Sequence, residues 1–201
     1  LGDGRLASAS WDKTIRIWPK HLVTPSELYT HIKNGNLPKV LELINDGYDI
    51  NSTTENPLLV ACQHNQLPCV QLLLSLGADI EIKDSKGKTA LICASEKGHL
   101  DIVTELINNG ANVEATDNDG KTALIISSNI GNLEIVKELL NNGANIDARD
   151  NKGMTSILSR NINVVKELLS RGINVEIWPD IFIIFNNPEI KELLLAYRQN
   201  K

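Results

Sequence analysis

The sequence predicts an all-α repeat solenoid: helix-turn-helix units with β-turn or hairpin tips, preceded by a short N-terminal β-hairpin. Three observations carry this expectation. A glycine closes the same phrase repeatedly, in Leu73-Leu74-Ser75-Leu76-Gly77, Leu106-Ile107-Asn108-Asn109-Gly110 and Leu139-Leu140-Asn141-Asn142-Gly143, with successive glycines 33 residues apart. Flanking copies end at Gly47 and Gly172. A fixed period of this length marks stacked supersecondary units rather than one globular core. Before each glycine runs an apolar stripe at i, i+3, i+4, such as Val103, Leu106, Ile107 or Val136, Leu139, Leu140, which is helical spacing. Ahead of each helix pair stands an Asp-x-x-Gly turn signal, Asp84-Ser85-Lys86-Gly87 or Asp117-Asn118-Asp119-Gly120, with Asp and Gly where a β-turn favours them.

In chain order, residues 1–20 come first and stand outside the repeat. Residues 1–18 alternate with period two, through Leu6, Ser8 and Ser10 and again from Thr14 to Trp18. That reads as a β-hairpin turning at Trp11-Asp12-Lys13. Residues 21–201 form the repeat domain, divided at about 24–52, 53–83, 84–116, 117–149, 150–178 and a capping repeat at 179–201. The first unit opens on Thr24-Pro25-Ser26-Glu27, a capping box with Pro at the first helical position. Gly47 to Ala61 is 14 residues against 17 from Gly77 to Ala94, so the first hairpin tip should be stunted. The second unit starts its helix at Asn56-Pro57. In the third and fourth, Thr89 and Thr122 are placed to N-cap the first helix. Gly98 and Gly131 then end it, and Gly110 and Gly143 take the left-handed position after the second. The fifth unit has lost four residues between Leu158 and Val164. Its first helix should be about one turn short. Asn187-Pro188-Glu189 should start a terminal helix.

These residues together resemble the ankyrin repeat over roughly residues 22–201, in the pattern D-x-x-G-x-T-A-L…A…G-[HN]-L-x-I-V-x-x-L-[IL]-x-x-G-A-N. The family's usual Thr-Pro-Leu-His reads here Thr89-Ala90-Leu91-Ile92 and Thr122-Ala123-Leu124-Ile125. Apolar contact by Ile92 and Ile125 is expected in place of the family's histidine hydrogen bonds. Residues 1–18 are similar to the middle strands of a WD-repeat propeller blade, with Asp12 at the turn and Trp18 in the strand, and cover half a blade.

The bulk numbers narrow the function. Of 201 residues 42% are hydrophobic and the net charge is −5. That charge lacks the general attraction to phosphates on which nucleic-acid binding rests. Apolar runs such as Ile181-Phe182-Ile183-Ile184-Phe185 fall short of the ~18 residues of a membrane span. Cys62, Cys69 and Cys93 form no CxxC pair and suit free thiols in a reducing, cytoplasmic setting. The chain begins at Leu1 rather than Met and reads as a fragment of a longer protein. No catalytic, cofactor or metal constellation is expected. The histidines are scattered, and His99, in Gly98-His99-Leu100, reads as a structural residue at a helix start. Cys62 and Cys93 read as core cysteines.

The resemblance implies a protein-interaction scaffold, expected to be a monomer. Its alternatives are the substrate-targeting arm of a larger enzyme or ubiquitin-ligase adaptor, or a microbial effector acting on a host protein. In the family, partners are met at hairpin tips and the exposed ends of first helices. On matching positions these are Lys86, Lys88, Glu96 and Lys97, then Asn118, Asp119, Lys121, Asn129 and Ile130, then Asn151, Lys152 and Met154. Lys83, Ser85, Thr116 and Arg149 flank them. Asn51, after Asp49-Ile50 and eight residues beyond Leu43, is similar to the ankyrin asparagine that an oxygen-dependent hydroxylase modifies in animals; the plainer reading is a loop residue.

Overall fold

The computed structural model describes residues 6–9, 15–18, 25–52, 56–175 and 187–199. The chain divides into two compact units, 1–79 and 80–201. In the first, β1 (Leu6–Ala9) and β2 (Ile15–Trp18) pair antiparallel, with Leu6 opposite Trp18 and Ala9 opposite Ile15. This is the hairpin read from the period-two pattern; its turn lies outside the described residues.

Two helix pairs follow: α1 (Pro25–Lys33) with α2 (Leu37–Asn45), and α3 (Pro57–Gln63) with α4 (Leu67–Ser75). Their starts follow from local chemistry. Asn56 Oδ1 accepts from the N–H groups of Leu58 and Leu59 at 3.0 and 3.2 Å, and Pro57 has no N–H to leave unsatisfied. Asn36 caps α2 through Lys39 N–H. Thr24 and residues 53–55, on which the capping box and the stunted tip were read, lie outside the described residues. Leu28, Ile32, Val40, Leu43, Leu58, Val70 and Leu73 are buried between the pairs, each such side chain contributing about 1.5–3 kcal/mol.

The second unit repeats the plan with α5 (Ala90–Lys97) and α6 (Leu100–Asn108), then α7 (Ala123–Ile130) and α8 (Leu133–Asn141). Thr89 and Thr122 cap α5 and α7 by accepting from Ile92 and Ile125 N–H. Gly98 and Gly131 end these helices at φ +79° and +86°, left-handed values that strain any residue with a Cβ. Ile92 and Ile125 are fully buried, the apolar contact expected where the family carries histidine. His99 occupies the N-cap of α6 without a side-chain bond to the helix, whereas Asn132 Oδ1 accepts from Ile135 N–H at the start of α8.

The fifth repeat departs from expectation. Its first helix is not an α-helix one turn short but a single 3-10 turn, Ser156–Leu158, followed by α9 (Ile162–Ser170). The deletion leaves too few residues to offset the cost of nucleating an α-helix, and short pieces adopt the tighter 3-10 form. The apolar stripe of α9 nevertheless stays in phase, with Val164, Val165 and Leu168 buried. Helix α10 (Pro188–Gln199) packs on α9 through buried Ile190 and Leu194. Asn187 caps it through the N–H groups of Glu189 and Ile190.

Candidate functional site

The tips are built identically in three successive repeats. One aspartate oxygen accepts two backbone N–H groups: Asp84 from Lys86 and Lys88, Asp117 from Asp119 and Lys121, Asp150 from Lys152 and Met154, all at 2.8–3.0 Å. Gly87, Gly120 and Gly153 close the same turns by donating to Asp84, Asp117 and Asp150 carbonyls. Each tip is then pinned to the one before. Asn118 donates its backbone N–H to Lys86 O at 2.9 Å and its amide to Ser85 O at 3.2 Å. Asn151 repeats this on Asp119 O and Asn118 O. A Cβ added at Gly120 would lie 2.9 Å from Asn151 N, so glycine is required for this approach as well as for its positive φ.

Outgoing loops are tied in the same way within each unit. In the first, Asn51 Oδ1 accepts the Asp79 N–H at 2.8 Å. In the second, side-chain oxygens of Glu81, Glu114 and Asp147 accept the N–H groups of Asn112, Asn145 and Asn174 at 2.8–2.9 Å. Asn51 is thus a turn residue whose side chain ties its loop to that of the next repeat. The sequence hid this recurring bond because its four copies use three residue types for one acceptor.

Between the tips and the first helices of repeats three and four lies an open concavity of about 600 Å³. Lys86, Lys88, Glu96, Asn118, Asp119, Lys121, Asn129 and Ile130 line it, with Ser85, Asp117 and Ile126. Lys97, Asn151, Lys152 and Met154 do not. Asp117 and Ile126 were missed as lining residues; Ile126 follows Ile125 in an apolar run that reads as core only.

Charges within the concavity are largely matched. Lys88 Nζ lies 2.6 Å from Glu96 Oε1, and Lys121 Nζ lies 3.1 Å from Asp119 Oδ2. Partial burial pulls Lys88 down, but the hydrogen bond and charge of Glu96 outweigh it and hold the ammonium above its ordinary value. The hydrogen bond from Lys121, then its charge, holds Asp119 below the ordinary carboxylate value, and the bond to Asp119 raises Lys121 in turn. Ile130 is 54% exposed at the rim and Met154, at the next tip, 37%.

All three cysteines are buried, and none forms a disulfide. Among the described residues no three His, Cys, Asp or Glu side chains gather as metal ligands, and no helix is long and apolar enough to cross a membrane. The concavity presents charged and amide side chains and the exposed Ile130.

Such a stack of turn-plus-helix-pair units defines a class, the helical repeat proteins that present a surface rather than a pocket. The ankyrin-repeat model (three copies) matches residues 28–117 and 109–177, and the chain belongs to the ankyrin-repeat family. It is similar to ankyrin repeat and SOCS box protein 6 of Mus musculus and of Pongo abelii, 43% identical over 63 residues, and to that of Homo sapiens at 41%. Each alignment covers 28% of this chain and 15% of the relative. Neither these comparisons nor a two-stranded sheet supports a propeller blade at residues 1–18.

Proposed function

We propose that this chain is a non-enzymatic protein-interaction scaffold that holds a protein partner on the face formed by its tips and first helices, in repeats three to five. The supporting observation is the concavity of about 600 Å³ lined by residues from two successive repeats. Tips hydrogen-bonded to one another present their side chains at fixed spacing, which lowers the ordering cost on binding. It works as a monomer in a reducing, cytoplasmic setting, with residues 21–201 as the repeat domain and 1–20 apart from it.

Affinity capture followed by mass spectrometry identifies the partner. Ile130→Asp and Lys86→Glu/Lys88→Glu should then each weaken its binding by tenfold or more, the scale of about 1.4 kcal/mol. Folded variants that bind like the parent would remove this face from consideration.

A second reading is that the scaffold is the substrate-targeting arm of a ubiquitin-ligase adaptor. It is favoured by the likeness to proteins whose name joins ankyrin repeats to a SOCS box. Recovery of ubiquitin-ligase subunits with the captured partner supports it; their absence from a capture with the full-length protein speaks against it.

A further inference from the structure

Equivalent positions on this face change chemistry from one repeat to the next. After the turn glycine stand Lys88, Lys121 and then Met154. Before the helix-ending glycine stand Lys97 in repeat three and Ile130 in repeat four, and repeat five lacks the position altogether. At these two positions lysine in repeat three gives way to Ile130 in repeat four and Met154 in repeat five, while Lys121 and Lys152 keep charge on those repeats.

Of the lysines that line the concavity, Lys86 alone makes no ion pair among the described residues. Lys88 and Lys121 are each matched by a carboxylate of this chain. The turn aspartates are turned onto backbone N–H groups. Lys86, Lys97 and Lys152 are exposed and make no ion pair among the described residues. Ile130, on the same lining, is more than half exposed, while the neighbouring Ile126 is buried.

Resting on the reading of this face as the binding surface, we infer that its partner is a protein segment carrying a carboxylate and, further along, an aliphatic or aromatic side chain. The segment lies in one direction, with the carboxylate at Lys86 and the apolar group at Ile130. A basic segment would set like charges together at repeat three, and an uncharged one would desolvate Lys86 without a partner. A wholly polar segment would leave Ile130 unused, although a buried apolar anchor dominates most interfaces. The asymmetry sets direction, because reversal places the carboxylate on Ile130 and the apolar group on Lys86.

The test is a displayed library of random peptides, about twelve residues long, selected separately on the parent chain, on Lys86→Glu and on Ile130→Gln. Circular dichroism confirms that both variants fold. Parent winners should share an acidic and an apolar residue in constant order. Lys86→Glu should select peptides that keep the apolar residue and lose the acid, and Ile130→Gln the converse. Synthesised parent winners should bind each variant about tenfold more weakly, and their reversed sequences should lose a similar factor. Winners that are basic or wholly apolar, yet weakened by both substitutions, overturn this inference and leave the face as the binding surface. Winners indifferent to both substitutions overturn the inference and the underlying reading together, and so does a library with no winners.

Discussion

Repeat four places the eight residues of α7, Ala123–Ile130, between its turn and its second helix; repeat five has only the 3-10 turn Ser156–Leu158 there. On either side of that gap the two repeats match. Asp117 and Asp150 hold their turns through the same pair of N–H bonds, and α8 and α9 are both nine residues long. Asn161 closes the gap by donating its amide to Gly131 O at 2.9 Å. The turn and the second helix are thus fixed by hydrogen bonds and burial that do not depend on a full first helix. The first helix is the adjustable part, and it is also the part that lines the candidate site.

The largest expected effects ask whether the second helices are equally well held. Leu139 in α8 and Leu168 in α9 occupy the same position, and both are fully buried. Leu139→Ala and Leu168→Ala should each cost about 3 kcal/mol in urea unfolding. A cost under about 1 kcal/mol at Leu168 would mean that losing the first helix has loosened α9, and the comparison breaks.

Next come the glycines. Gly120→Ala meets a left-handed φ of +78° and the backbone of Asn151, while at Gly143, φ +85°, a Cβ meets nothing within 4 Å. The first should cost about 2–3 kcal/mol and the second about 1 kcal/mol. Equal costs would show that the tip ladder yields easily.

The caps sharpen the contrast further. Thr122 accepts from Ile125 N–H, while Thr155 Oγ1 is buried without a hydrogen bond. Thr122→Ala should therefore lose about 1 kcal/mol. Thr155→Val, which keeps the shape and removes the unsatisfied hydroxyl, should be neutral or slightly stabilising. A loss at Thr155→Val comparable to that at Thr122→Ala would contradict this reading of the 3-10 turn.

The smallest effect concerns Glu96→Gln. With the Glu96 side chain 41% exposed, solvent screening limits the loss to under about 1 kcal/mol. Lys88 is raised above its ordinary 10.5, so its contribution is complete below that pH and fades as pH rises through the raised value. The difference between parent and variant should accordingly stay flat from about pH 6 to 9 and shrink with added salt.

Much of this was legible in the sequence because it rests on local chemistry. Thr89, Thr122 and Asn56 cap where their hydroxyl or amide demands it, and Gly98, Gly110, Gly131 and Gly143 sit where φ is positive. Eight of the twelve residues proposed for the site line one concavity, since equivalent positions in a stack fall side by side. What escaped is what depends on neighbours. Helix nucleation fails abruptly once residues are lost, so a one-turn deletion removed the α-helix of repeat five altogether. Lys88, just before α5, and Glu96, near its end, pair at a separation of eight residues, which the i, i+3 or i, i+4 spacing of helical pairs does not announce. The loop-tying acceptors Asn51, Glu81, Glu114 and Asp147 are of differing residue types for one geometric task.

On the proposed binding face the adjustable first helices and the tips, not the uniform second helices, meet the partner. Hydrogen exchange measured by mass spectrometry, on the full chain with and without its captured partner, tests this most directly. Protection should appear at residues 85–88, 118–121 and 129–131, leaving α6, α8 and α9 unchanged. Protection confined to α6, α8 and α9, with the tips exchanging as in the free chain, would contradict it.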